Sequence, residues 1–169
     1  MRLFLALSFD TGARQAFLSV QDELQQRAQK GHFTAYENFH LTLAFLGEVE
    51  AQRLGAAFSA LEQSPLPPLD LTFDTLNCFH DSIWYLSPAP NGRLLAGQAQ
   101  LERVLRQEGF LLEERPYTPH LTLGRRIILH EGAQAGGRLP HPIQARSGPA
   151  QLFLSHRAEG KLTYTPLHP

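Results

Sequence analysis

The tetrapeptide His-Leu-Thr-Leu occurs twice, at residues 40–43 and 120–123, and this repeat constrains the chain more than any other feature. Alternation along an extended segment puts His and Thr on one face and both leucines on the other. Each copy reads as a strand anchored through Leu41 and Leu43, or Leu121 and Leu123, with His40 and Thr42, or His120 and Thr122, turned outward. Two residues along a strand span roughly 6.5–7 Å, so an imidazole and a hydroxyl from one strand can reach opposite sides of one small group. Two such strands brought together surround a common centre with two imidazoles and two hydroxyls. That equipment suits acid–base chemistry on a phosphate.

The repeat extends beyond the tetrapeptide. Phe4 precedes His40 by 36 positions, and Trp84 precedes His120 by 36. Each interval reads as a strand, a helix, a short strand and then the motif strand. In the first half a strand covers 2–9, and Asp10 or Thr11 caps a helix reaching about residue 30. Phe17, Val20, Leu24 and Ala28 line one side of that helix and Gly31 stops it. A short strand over 32–36 precedes the motif strand over 40–46, which ends at Gly47. A second helix spans 50–62, and the proline-rich stretch 64–68 breaks it and divides two lobes.

Strands over 69–79 and 82–86 turn at His80-Asp81. Asn91 caps a third helix running to Glu108, with Gly109 past its end. A short strand over 110–113 precedes the second motif strand, 120–129. Residues 131–149, aperiodic and rich in Gly and Pro, read as a long loop, a length that hints at function or mobility. Strands over 150–156 and 162–167 close the chain as a hairpin around Glu159-Gly160. The expectation is one domain, 1–169, of two pseudo-symmetric lobes, with the motif strands facing each other across a central cleft.

Composition narrows the function classes. Hydrophobic residues make up 43% and charged residues 18%, which describes a globular chain rather than a disordered one. A net charge of -1 gives no global pull toward nucleic acid, so a polyanion site must be a local cluster of basic residues. Cys78 is alone, which excludes a disulfide framework and a thiolate zinc site. The apolar opening is short, alternates like a strand and is closed by Asp10, unlike a signal peptide. No later stretch approaches the length of a membrane span, and the chain reads as cytoplasmic.

Histidine titrates near neutrality, at about 6.5 when unperturbed, so one imidazole can serve as acid while its partner serves as base. Each role typically contributes ~10²–10⁴-fold. No His-Glu-x-x-His, no cysteine cluster and no acidic residue directly beside either motif histidine argues for a catalytic metal. There is no Gly-x-Ser-x-Gly elbow and no glycine-rich phosphate loop with a lysine. What remains is metal-free attack on a phosphodiester, with no cofactor. Arg125 and Arg126 can each neutralise phosphate charge. Strict alternation puts Arg126 on the His120 face, whereas a bulge at Gly124 turns Arg125 there instead, and spacing does not choose between them. The other six histidines fall at element ends or in loops and read as surface residues.

Together the motifs resemble the 2H phosphoesterase superfamily. The stretches Asn38-Phe39-His40-Leu41-Thr42-Leu43-Ala44-Phe45-Leu46-Gly47 and Arg115-Pro116-Tyr117-Thr118-Pro119-His120-Leu121-Thr122-Leu123-Gly124-Arg125 are similar to those of the RNA 2',3'-cyclic phosphodiesterases, also called 2'-5' RNA ligases. The resemblance covers nearly the whole chain. It implies an α+β fold whose two antiparallel sheets, with helices outside, line a central cleft. It implies hydrolysis of RNA 2',3'-cyclic phosphate ends to 2'-phosphomonoesters, with a weak reversible 2'-5' ligation, by a monomer whose partners are such RNA ends, tRNA halves among them. Carried over, His40 is the proton donor and His120 the acceptor, and Thr42 and Thr122 hold phosphate oxygens. The family's arginine, five positions after its second histidine, selects Arg125. Phe4 and Tyr117 are candidates for stacking the terminal base, as is Tyr36. Two alternatives stand beside this reading: a related enzyme acting on a small cyclic nucleotide or ADP-ribose cyclic phosphate, and a non-catalytic RNA-binding module.

Overall fold

The computed structural model describes all 169 residues as an α+β fold in which eight antiparallel strands carry three α-helices. The first strand, β1 (Arg2–Phe9), leads directly into α1 (Thr11–Arg27). The Asp10 carboxylate accepts the Ala13 N–H at 2.8 Å, closing the exposed end of the helix. Ala13, Phe17, Gln21 and Leu24 form its buried stripe. The helix stops at Arg27, earlier than the sequence suggests, and β2 (Ala28–Phe33) begins at once. Gly31 is therefore a strand residue rather than a helix stop. A Cβ there would stand 2.6 Å from Ile127 Cγ1, so glycine lets β2 press against its neighbour.

Next come β3 (Leu41–Glu48) and α2 (Leu54–Gln63), the latter entered through a 3₁₀ turn. The strands β4 (Asp70–Phe79) and β5 (Ile83–Pro88) join through a tight turn with φ +49° at His80 and +56° at Asp81. Asn91 Oδ1 then accepts the Leu94 N–H at 2.9 Å to cap α3 (Gly92–Gln107), which Gly109 ends at φ +81°. Leu94, Gln98, Leu101, Val104 and Leu105 are its buried face. Residues 110–113 form no strand. They lie instead against α3, where the Arg106 guanidinium donates to the carbonyls of Leu112 and Glu113.

After β6 (Leu121–Leu129) the structure departs most from expectation. The segment read as a loop belongs largely to β7 (Gly137–Ala158), a 22-residue strand. Its prolines sit where pairing is interrupted. Four residues, 139–142, face one residue of β4, which places Pro140 and Pro142 off the ladder. Gly148 and Pro149 together face Ser8 of β1. Proline has no N–H to offer a ladder and is tolerated at such bulges. The strand β8 (Lys161–Leu167) returns along β7 through the two-residue turn Glu159-Gly160, where both φ angles are positive.

The strands pair in the order β2-β6-β5-β4-β7-β1-β3, with β8 also on β7. β7 pairs with β4 in its first part and with β1 and β8 in its second, joining two groups of strands into one path. The motif leucines Leu41, Leu43, Leu121 and Leu123 are all at most 2% exposed. They lie in a single core with residues of all three helices. No helix is long and apolar enough to cross a membrane.

Candidate active site

His40 and His120 each stand one residue before their strand, β3 or β6. Each ring is held the same way. His40 Nδ1–H donates to the Asn38 carbonyl and His120 Nδ1–H to the Thr118 carbonyl, both at 2.7 Å. A carbonyl oxygen only accepts, so the proton of the neutral imidazole lies on Nδ1 and Nε2 is left as the reactive nitrogen. The pairing breaks down at the threonines. Thr42 Oγ1 lies 3.0 Å from His40 Nε2, whereas Thr122, half-buried opposite Tyr85, has no such bond to His120.

Aromatic rings wall each imidazole. His40 lies 5.0 Å from both the Phe4 and the Tyr164 rings, and Tyr164 meets it edge-on. His120 meets Phe79 and Tyr85 edge-on at 5.4 and 5.6 Å, and those two rings stack on each other at 4.0 Å. Burial against these walls disfavours the imidazolium. His40 is lowered from 6.5 to about 4, chiefly by burial, with the Asn38 carbonyl opposing and the charges of His120 and Arg125 adding to it. His120 is also lowered by burial, opposed by Thr118 and reinforced by Arg125 and Arg115. His40 thus feels the charges of His120 and Arg125, and His120 that of Arg125, although β3 and β6 lie far apart along the sheet path.

A cavity of about 540 Å³ opens beside His120, with Thr42, Arg125, Arg115 and His80 also among its lining residues, whereas His40 and Thr122 do not line it. Arg125 reaches it through a bulge. Two residues of β6 advance, from Thr122 to Gly124, while β5 advances by one, from Tyr85 to Trp84. Gly124 is fully packed, and a Cβ there would lie 2.5 Å from Ile127 Cδ1. Arg126 is exposed at φ +53° and does not line the cavity.

Two of the aromatics singled out for base stacking are engaged otherwise. Phe4 is only 4% exposed and stacks on Phe153 at 5.4 Å, a wall behind His40 rather than an open platform. Tyr117 lines the cavity, but its hydroxyl donates to the Thr42 carbonyl at 2.9 Å, tying the segment before His120 to β3. Burial pushes its phenol well up. Tyr36 meets Phe39 edge-on, and its hydroxyl donates to the Thr11 carbonyl at 3.2 Å. Sequence reading missed Tyr164, Phe79 and Tyr85. Their alternation along β8, β4 and β5 was visible, but nothing in it said which rings would meet a histidine.

Comparison with known proteins assigns the class. A family model described as the 2'-5' RNA ligase superfamily matches residues 15–156, and the chain belongs to that superfamily. An RNA 2',3'-cyclic phosphodiesterase of Methanocaldococcus jannaschii is 31% identical over 130 residues, covering 74% of this chain and 71% of the relative. The enzyme of that name from Escherichia coli is 28% identical over 170 residues, covering 98% and 93%. The crystal structure of Escherichia coli LigT complexed with 3'-AMP superposes with a TM-score of 0.84 at 27% identity, covering 99% of this chain and 95% of that one. Within the superfamily the chain is a member of the RNA 2',3'-cyclic phosphodiesterase family, a family of hydrolases.

Proposed function

We propose that this chain hydrolyses RNA ends carrying a 2',3'-cyclic phosphate to 2'-phosphomonoesters, with His40 as general acid and His120 as general base. The observation that carries the reading is the shared tautomer: both Nδ1–H groups are committed to backbone carbonyls, which leaves Nε2 as the reacting nitrogen of each ring, His120 Nε2 without a protein partner and His40 Nε2 facing the Thr42 hydroxyl. Water attacks phosphorus opposite the 3'-oxygen while His120 Nε2 takes its proton. The P–O3' bond breaks, and the proton on His40 Nε2 passes to the leaving 3'-oxygen. Arg125 neutralises the charge that builds on the non-bridging oxygens, and Thr42 and Thr122 donate to them.

The depressed pKa values suit these roles. A neutral His120 is ready to accept a proton near neutrality. His40 is a strong donor once charged, and the bound phosphodiester anion supplies the countercharge that protonates it. Acid, base and charge neutralisation all come from side chains, so the reaction as written calls for no metal. 2'-5' ligation uses the same groups in the same roles, with the 5'-hydroxyl of a second RNA end in place of water: His120 takes its proton, the P–O5' bond forms, the P–O3' bond breaks and His40 protonates the leaving 3'-oxygen. The repeated strand–helix–motif-strand order and the matched imidazole anchors support a description as two pseudo-symmetric lobes. RNA fragments with cyclic ends, tRNA halves among them, are the substrate class, and the chain acts as a monomer.

The test is product analysis. An oligonucleotide with a 2',3'-cyclic end should yield a product one water heavier that carries a 2'-phosphate. A 3'-phosphate product, or turnover only of small cyclic nucleotides, would overturn the assignment.

A further inference from the structure

We propose that Gln21 and Gln98 are positioning residues that set the separation of the two histidines, each strapping one half's helix to the other half's motif strand. Both are charge-free polar side chains in the interior, 4% and 6% exposed, where an amide needs a reason to be. Gln21, on α1, donates through Nε2 to the carbonyls of Thr34 and Leu123, each at 2.8 Å. Gln98, on α3, donates through Nε2 to the Leu43 carbonyl at 3.2 Å and to Glu102 Oε2 at 3.1 Å. Leu43 and Leu123 are the fourth residues of the two His-Leu-Thr-Leu repeats. Each strap crosses between halves: a first-half helix holds the second motif strand, and a second-half helix holds the first.

Both hydrogens of each amide are engaged, so turning either side chain gives up two hydrogen bonds; the Leu123 carbonyl accepts the Thr34 N–H as well, at 2.9 Å. β3 most needs the restraint, because it ends the sheet with only β1 beside it. The Tyr117 hydroxyl on the Thr42 carbonyl adds a second hold on the same strand. Each strapped carbonyl lies three positions after its histidine, so slack there moves Nε2 relative to its partner. A displacement of about 1 Å at a reacting group can cost on the order of 10²-fold in rate.

The proposal rests on the two-histidine reading, and its test separates the two. Gln21→Met and Gln98→Met remove the donor at similar length, while Gln21→Asn and Gln98→Asn keep the amide but withdraw it by one methylene. Ser64→Ala is the control for loss of a buried bond away from the site, since its hydroxyl donates to the Ala60 carbonyl behind α2. Each variant is compared with wild type in thermal midpoint, in kcat and KM on the cyclic-ended oligonucleotide, and in NMR titration of His40. Folded strap variants should lose tenfold or more in kcat in the order Met below Asn, with KM within about threefold. His40 should titrate at higher pH as the His120 and Arg125 charges recede. Ser64→Ala should lose stability alone. An unchanged His40 titration and kcat within twofold of wild type would overturn the straps. Undiminished turnover in His40→Ala or His120→Ala would instead overturn the two-histidine mechanism, leaving the titration to judge the straps.

Discussion

His40 should make the protein acid-sensitive by a calculable amount. Its folded pKa, about 4, lies below the 6.5 of the unfolded chain, so below pH 6.5 the unfolded state binds a proton that the folded state refuses. The stabilising contribution is therefore fully present above 6.5, is lost progressively as pH falls, and is gone below 4. One pKa unit corresponds to about 1.4 kcal/mol, so lowering the pH from 7.5 to 4.5 removes about 2–3 kcal/mol through this one ring. The lower figure allows for its partly exposed edge. The perturbation is His40→Gln, and the assay is urea unfolding of both proteins at half-unit steps across that range. Carboxylates and His120 titrate in both, so the difference between the two curves is the quantity read. At pH 7.5 the variant should be the less stable or equal, and the gap should shift in its favour by about 2–3 kcal/mol by pH 4.5. Parallel curves would mean that the folded ring protonates as easily as the unfolded one, and the burial argument would fail.

The remaining expectations are these. His40→Ala and His120→Ala should each cost several orders of magnitude in turnover, since each removes a role typically worth ~10²–10⁴-fold, and the double variant should be little worse than the worse single. Because both pKa values are lowered, kcat/KM of wild type should already be falling as pH rises through 7, whereas an optimum well above 7 would contradict the depressed values. Arg125→Ala should impair turnover at unchanged thermal stability while Arg126→Ala stays near wild type, and the opposite pattern in kinetics would reject the bulged register. Turnover should survive EDTA; complete loss restored by a divalent ion would sink the mechanism as written. Gly31→Ala should destabilise by about 1–3 kcal/mol through its clash with Ile127, measurable in the unfolding midpoint.

What was legible in the sequence was whatever depends on local order. The strand alternation of the two repeats fixed which residues are buried, and the Asn91 and Gly109 signals bounded α3 closely. The hairpins at His80-Asp81 and Glu159-Gly160 were equally visible. What failed depends on distant partners. Residues 137–149 read as a loop because Gly and Pro break periodicity, yet β4 and β1 supply ladders that absorb those prolines in bulges. Gly31 read as a helix stop because the room it leaves for Ile127, far along the chain, has no local signature. Residues 110–113 lost their predicted strand to backbone contacts with Arg106. At the site the residue types were evident, but the imidazole anchors come from the carbonyls of Asn38 and Thr118, which no side-chain pattern encodes.

The shared strand β7 bears on how the protein can be taken apart. Its first part completes the ladder of β4 and its second that of β1, while β2 from the beginning of the chain pairs only with β6 from the later half. Neither half of the sequence can thus close its own sheet, and the site exists only once the halves have interlocked. Fragments cut in the exposed link around Pro67 should be unstable alone yet complement each other when mixed, regenerating turnover at a rate that depends on concentration.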